Sequence, residues 1–174
     1  MSLFLIILAA GNSKRLKLST PKPYIKINNK TLIEHAVKAF SSFPNIKRTV
    51  IVYNKKHKKY LNKINFKNTL KVAGGESRQE SIFYALKKIR KMNCTKVLIH
   101  DSARPNTNKK IINNIMIQLK NNNAVTPIIK VADATKRVKK KIIFKNIERS
   151  TLRFTQTPQG FNYKKIYEKH LKNL

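Results

Sequence analysis

The chain predicts an α/β fold built on a doubly wound, mainly parallel sheet. Two observations carry this prediction. Short β-rich runs of near-continuous apolar character alternate with stretches of helical periodicity, the pattern of βαβ units. Three of those runs end in small or acidic residues, Gly11, Gly74-Gly75 and Asp101. Such sheets bind ligands beyond the carboxyl ends of their strands, near the topological switch point, so three widely separated motifs point to one crevice.

In order along the chain, the strand runs are Phe4 to Ala9, Thr49 to Tyr53, Leu70 to Ala73, Lys96 to Ile99 and Ala124 to Ile129. Helical patterns lie between them at Leu32 to Phe40, Lys55 to Leu61, Gln79 to Ile89 and Ile111 to Leu119, with a further one at Lys164 to Leu171. Thr31-x-x-Glu34 and Ser77-x-x-Glu80 each fit a capping box ahead of an apolar-periodic segment. The segment from Val131 to Thr155 breaks the alternation. Lys136 to Phe144 within it reads as a hairpin too charged for a central sheet, hence a projecting β-arm and a candidate dimer contact.

The chain has 174 residues, one cysteine and a formal net charge of +32. That length makes a single domain, residues 1–174, large enough to bury a core. Leu3 to Ala10 is too short for a signal peptide and runs into a glycine turn, so it reads as a buried first strand. No apolar run approaches the roughly 20 residues needed to span a bilayer. Lone Cys94 has no disulfide partner within the chain, which fits a reducing compartment; a cytoplasmic protein without membrane contact is expected. High positive charge invites a nucleic-acid partner. Lysines are spread over nearly every segment beside many asparagines and isoleucines, however, as an AT-rich genome would produce, so nucleic acid is not expected.

The chemistry-bearing motifs lie at the strand ends. Leu8-Ala9-Ala10-Gly11-Asn12-Ser13 delivers a small-residue turn whose main-chain N–H groups can cradle phosphate, with Arg15 and Lys22 nearby to supply charge where a pentacoordinate phosphorus develops it. From spacing alone, both cations read equally as solvated surface residues. The motif has neither the Lys-Ser/Thr ending of a P-loop nor the three glycines of a dinucleotide fingerprint. Gly74 to Ser81 reads either as a loop whose helix amides and Ser81 hydroxyl hold a ribose or base edge, or as a glycine turn feeding a capped helix. His100-Asp101-Ser102-Ala103-Arg104-Pro105 places a carboxylate, a hydroxyl and a guanidinium after a strand; Asp101 suits Mg²⁺, which prefers hard oxygens. His100 reads as a packed, hydrogen-bonded residue, and no zinc-type Cys/His cluster is present.

Taken jointly and in this order, Leu8 to Gly11 with Arg15, Pro21-Lys22, Gly74-Gly75 with Arg78 and Ser81, His100 to Pro105, and Gln156-Thr157-Pro158-Gln159 resemble the 2-C-methyl-D-erythritol 4-phosphate cytidylyltransferases of the non-mevalonate isoprenoid pathway. The resemblance spans essentially the whole chain. It implies a Rossmann-like nucleotidyltransferase fold, CTP and methylerythritol phosphate as substrates, Mg²⁺ as metal, and a homodimer built through the arm. By the same resemblance, Ala9, Ala10, Gly11, Gly75 and Ser81 would contact cytidine or phosphates, with Arg78 supporting the Gly75 loop. Arg15 and Lys22 would stabilise the transition state. Asp101 would hold magnesium and lie near the sugar hydroxyls, while Thr157 and Arg149, the latter from the partner subunit's arm, would bind methylerythritol phosphate.

Three departures accompany the match. The family's Asp-Thr before a basic pair is here Asp133-Ala134-Thr135-Lys136, so the substrate-binding threonine is either displaced by one, to Thr135, or lost. Ser13 stands where glycine is frequent. The chain stops at Leu174, where relatives continue with a strand and helix carrying a second metal-binding aspartate and a phosphate-binding lysine, so the C-terminal part of the family domain is expected to be absent. Two competing readings share these motifs: a cytidylyltransferase for another polyol phosphate such as ribitol 5-phosphate, and an inactive nucleotide- or RNA-binding fragment.

Overall fold

Leu3–Ala9 (β1) lies at the centre of a six-stranded sheet and is the most deeply buried strand; only Leu8 retains appreciable exposure. Its unbroken apolar run reflects the period of two. Leu3, Leu5, Ile7 and Ala9 face one core with Tyr24, Ile33, Phe40, Ile112 and Ile115, while Phe4 and Ile6 face the other with Ile82, Ala85, Leu86 and Ile89. A strand covered on both faces has no polar side to show. The structure, a computed structural model, describes residues 2–13, 16 and 18–172.

The remaining elements, in chain order, are Lys26–Ile27 (β2), Lys30–Thr31 (β3), Leu32–Lys38 (α1), Ile46–Tyr53 (β4), Lys58–Leu61 (α2), Thr69–Ala73 (β5), Arg78–Lys88 (α3), Lys96–Asp101 (β6), Lys109–Gln118 (α4), Ala124–Val125 (β7), Ile128–Lys130 (β8), Thr135–Lys139 (β9), Ile142–Ile147 (β10), Arg153–Thr155 (β11), Gln159–Asn162 (β12) and Tyr163–Lys172 (α5). The sheet runs β5-β4-β1-β6-β12-β7. Strands β5, β4, β1 and β6 are mutually parallel, and β12 is antiparallel to both of its neighbours. From β1 the chain steps outward through β4 to β5, then returns over the sheet through α3 to place β6 on the other side of β1. The switch point therefore lies between β1 and β6, and a crevice opens beyond their carboxyl ends. The doubly wound, mainly parallel sheet expected from the sequence is the one observed.

The local signals explain most of the elements. Thr31 and Glu34 form the expected capping box: the Thr31 amide donates to Glu34 Oε2 at 2.7 Å and the Glu34 amide to Thr31 Oγ1 at 3.4 Å. At Ser77 only half of a box forms. Ser77 Oγ accepts from the Glu80 amide at 3.0 Å, but the Glu80 carboxylate turns to Glu76. Lys55 to Leu61 resolves into a 3-10 turn, Lys55–His57, followed by the single turn of α2.

Two strand predictions need correction. Ala124 to Ile129 is not one strand. Pro127 has no N–H to continue a ladder, and the chain turns there: β7 stays at the sheet edge while β8 leaves to pair with β11, with Ile128 and Ile129 more than half exposed. Conversely, β12 had no recognisable signal because its sequence, Gln-Gly-Phe-Asn, is polar and contains a glycine. That glycine is required by packing, since a Cβ on Gly160 would lie 2.8 Å from Ile115 Cγ2 on α4.

The arm exists as expected. Strands β8 and β11 form its stem and β9 and β10 its outer hairpin, pairing only with each other. Lys140 and Lys141 make the two-residue hairpin turn with φ of 46° and 68°, a conformation usually given to Asn-Gly. Val138, Ile142, Ile143, Phe144 and Phe154 on the arm are each more than half exposed, an unusual concentration of uncovered apolar side chains. Among the described residues no helix is long and apolar enough to cross a membrane.

Candidate active site

The loop after β1 forms one wall of the crevice. Ala9 is buried as the last residue of the strand, and the chain leaves the sheet at Ala10. Asn54, immediately after β4, fixes the course of this loop: its Nδ2 donates to the Ala10 carbonyl at 3.1 Å and to Asn12 Oδ1 at 2.7 Å, while its Oδ1 accepts from the Lys56 amide at 2.9 Å. Both ends of that amide side chain are committed, so its orientation is determined. The N–H groups of Gly11 and Asn12 have no hydrogen-bond partner among the described residues, and both residues are exposed. They are donors available to an anion at the switch point.

Gly11 is not there for a left-handed turn. Its φ is not positive, and a Cβ built on it meets nothing within 4 Å. The residue leaves open space over the loop, which favours close approach of something outside the chain. The left-handed residue is Ser13, with φ of 54°, the conformation that makes glycine frequent at such a position. Ser13 Oγ accepts from the Lys22 amide at 2.9 Å, which draws the Pro21-Lys22 segment up to the same loop. Lys22 opens a short 3-10 turn whose next residues, Pro23 and Tyr24, are buried. Arg15 lies outside the described residues.

The facing wall is the turn between β5 and α3. Here the expected roles shift. The Gly75 amide donates to the buried Ser81 hydroxyl at 3.1 Å, and the Glu76 amide to Glu80 Oε2 at 2.8 Å. Those two amides are consumed inside the loop, so Ser81 serves first as the loop's anchor. Glu80 supports the loop from beneath; hydrogen bonds from the Tyr84 hydroxyl and the Glu76 amide hold its carboxyl below the usual carboxylate range. Arg78 does not support Gly75. It reaches across to Asp101 at 3.6 Å and donates to Gln159 Oε1 at 3.3 Å, joining α3 to β6 and β12. A cavity of about 260 Å³ lies between Ala10, Gly11 and Asn12 on one side and Gly75, Arg78 and Ser81 on the other. Of the nucleotide-contact residues expected from the sequence, Ala10, Gly11, Gly75, Ser81 and Arg78 line this one space, whereas Ala9 is buried in the core beneath it.

Asp101, at the end of β6, sits between two guanidiniums, Arg104 at 3.3 Å and Arg78 at 3.6 Å, and about a third of its side chain is exposed. Behind it, His100 is fully buried, and burial pushes its imidazole below the ordinary range. Its Nδ1 meets Thr157 Oγ1 at 3.0 Å, and its Nε2 meets the Arg104 carbonyl at 2.9 Å. Thr157 also accepts from the Asp101 amide at 3.4 Å, so the Thr-Pro-Gln segment is tied to the end of β6. Arg104 further donates to Gln156. Among the described residues no group of three His, Cys, Asp or Glu side chains could hold a metal ion. Asp101 alone fits Mg²⁺ in the minimal sense, one hard carboxylate at the crevice, which suffices when phosphate oxygens complete the shell.

Thr135 and Arg149 stand apart from this crevice. Both lie on the arm, where Thr135 Oγ1 donates to the Asp133 carbonyl at 3.4 Å and Arg149 Nη1 to the Ala132 carbonyl at 2.6 Å. Arg149 shares a separate cavity of about 570 Å³ with Lys130, Arg153 and Glu148, three cations against one carboxylate, an excess of positive charge that can receive a phosphate. Asn54 and Glu80 are crevice residues the sequence did not reveal as such, and Gln159 was visible only as part of the Gln156 to Gln159 motif, with no role assigned to it. Asn54 was detectable only as a polar residue directly after an apolar strand, and the capping signature concealed what Glu80 does.

The crevice can therefore hold an anion on free amides and a lysine-bearing turn, and present a carboxylate and a hydroxyl to a polyhydroxylated partner. Comparison with known proteins gives the same direction. A family model described as IspD, 2-C-methyl-D-erythritol 4-phosphate cytidylyltransferase, matches residues 3–174. A relative described as the bifunctional enzyme IspD/IspF of Pelagibacter ubique is 45% identical over 165 residues, 94% of this chain and 44% of that protein. The 2-C-methyl-D-erythritol 4-phosphate cytidylyltransferase of Clostridioides difficile is 39% identical over 97% of this chain and 74% of its own length. Among solved structures, the bifunctional IspDF of Campylobacter jejuni superposes with a TM-score of 0.86 at 29% identity, covering 100% of this chain and 44% of that one. The Francisella tularensis cytidylyltransferase superposes with 0.83 at 26%, covering 99% and 77%. The chain thus spans less than half the length of the bifunctional relatives and about three quarters of the single-function ones.

Proposed function

We propose, since this chain belongs to the 2-C-methyl-D-erythritol 4-phosphate cytidylyltransferase family, that it is a nucleotidyltransferase which joins CTP and 2-C-methyl-D-erythritol 4-phosphate into 4-diphosphocytidyl-2-C-methyl-D-erythritol with release of pyrophosphate. A phosphate oxygen of the polyol substrate attacks the α-phosphorus of CTP, a new P–O bond forms, and the bond from that phosphorus to the bridging oxygen breaks. Pyrophosphate carries away the electron pair. No covalent enzyme intermediate is required, because positioning and neutralisation of charge suffice.

The observation that supports this reading is the pair of amides at Gly11 and Asn12, without a hydrogen-bond partner among the described residues, on residues that line a small cavity with Gly75 and Ser81 at the switch point. They hold the triphosphate, and the open space over Gly11 admits it. Lys22, and Arg15 beyond the described residues, neutralise the charge that develops at phosphorus. Asp101 would hold Mg²⁺, which when bound supplies further charge neutralisation on the phosphates. Arg149 and Thr135 bind the polyol phosphate from the arm of a second copy, which accounts for their distance from the crevice of their own chain. The uncovered apolar side chains of the arm support that homodimer. Sedimentation of Phe144→Asp should show a monomer where the parent chain shows a dimer; an unchanged dimer would remove the arm from the interface. A cytoplasmic location completes the proposal.

Pyrophosphate release is the direct test. Release with CTP, Mg²⁺ and methylerythritol phosphate is expected. Release with ribitol 5-phosphate instead would reassign the substrate, and salt-dependent RNA binding with no release from either would replace the enzyme reading altogether.

A further inference from the structure

The protons shared by His100 and Thr157 can be assigned from their partners. His100 is 0% exposed, and its Nε2 lies 2.9 Å from the Arg104 carbonyl. A carbonyl only accepts, so Nε2 carries a proton. Thr107 Oγ1, 3.2 Å from the same nitrogen, accepts from it and donates onward to the Arg104 carbonyl at 3.4 Å. Among the described residues no carboxylate is hydrogen-bonded to the ring, and a buried imidazole without such a partner stays neutral. Nδ1 is then a bare acceptor. Thr157, 3.0 Å away, must give its hydroxyl proton to it. One lone pair of Thr157 Oγ1 already takes the Asp101 amide at 3.4 Å. Only its second lone pair is left for a ligand.

We propose that His100 is a positioning residue that holds Thr157 as an acceptor only, so that Thr157 reads a hydroxyl of the polyol substrate and does not bind its phosphate. A phosphate near neutral pH offers mainly acceptor oxygens, and a hydroxyl whose proton is committed elsewhere has nothing to give them. A polyol hydroxyl can donate to it. The phosphate then falls to the cations of the arm. This specificity rests on the polyol-phosphate reading above, while the proton assignment does not.

The assignment is tested on the full chain by ¹⁵N-resolved imidazole NMR at neutral pH. Nε2 of His100 should be protonated and Nδ1 bare, and the Nδ1 signal should move in Thr157→Val. A proton on Nδ1, or on both nitrogens, overturns the proposal. The specificity is tested by kinetics and by equilibrium binding. In Thr157→Val the KM or dissociation constant for methylerythritol phosphate should rise about tenfold. Competition by inorganic phosphate, in contrast, should change less than about twofold. A parallel rise in both would make Thr157 a phosphate ligand. His100→Asn, whose side-chain oxygen can accept in place of Nδ1, should bind the polyol phosphate better than His100→Leu; equal loss in both would reduce His100 to a packing role. A chain that binds and turns over no methylerythritol phosphate would fail the activity proposed above while the NMR result stood.

Discussion

Lys22→Ala should lower kcat by roughly two to three orders of magnitude while weakening CTP binding only a few-fold, the signature of charge supplied mainly to the transition state. The structure gives the reason for the split. What carries Lys22 to the loop is its backbone, held by Ser13 Oγ at 2.9 Å and by the buried Pro23 and Tyr24 behind it. Truncating the side chain leaves that anchor, the Gly11 and Asn12 amides and the cavity walls intact. Ground-state contacts therefore survive, and the loss falls where negative charge grows during transfer. Pre-steady-state turnover compared with CTP affinity checks it. Equal losses in both would make Lys22 an ordinary phosphate anchor.

Gly74→Ala is expected to be the most damaging single methyl group in the crevice. A Cβ there would collide with Ala10 Cβ and lie 2.8 Å from Ser81 Oγ and 3.3 Å from Val52 Cγ1. None of these neighbours is a long side chain that can swing aside, so the β5 turn or the loop after β1 must move. Overpacking of this kind costs about 1–3 kcal/mol, seen as a lower urea midpoint, and because both shifted segments line the cavity, nucleotide affinity should fall with it. Gly11→Ala is the matched control. With nothing within 4 Å and no positive φ, it should leave the urea midpoint unchanged and impair nucleotide binding alone. A midpoint lowered equally by both would show that the two glycines share one structural role.

The parts of the molecule visible in its sequence were those ruled by local periodicity and by chemistry at strand ends. β1, the second half of β4 and the middle of β6 are near-continuous apolar runs because helices cover both faces, and Gly11, Gly74-Gly75 and Asp101 mark the crevice because the topology delivers them there. The sequence was silent where long-range packing overrides composition. β12 is polar and short, and it is a strand only because β6 and β7 leave a slot that its backbone fills. Pro127 stopped a run whose hydrophobicity argued for continuation. The same holds for side chains: Arg78 was placed by motif on the Gly75 loop, but the partners it finds, Asp101 and Gln159, come from elements distant in sequence. Arg149, assigned by the resemblance, and Thr135, which already departs from the family's pattern, both remain on the arm of their own chain.

The insertion of β12 between β6 and β7 has a consequence for how the molecule is made. β6 ends at Asp101, but the strand that pairs beside it begins at Gln159, after the whole arm has been traversed. Closing so long a loop, and the longer one that sets β6 beside β1, is slow compared with the more local pairing of β1, β4 and β5. The triphosphate wall, contributed by Gly11, Asn12, Gly75 and Ser81, comes entirely from the early-forming part. The hydroxyl-reading side, with Thr157 and Gln159, waits for the later one. Assembly thus separates in time the two halves of a site that act together, and a chain stalled partway would retain a grip on nucleotide without any means of selecting what receives it.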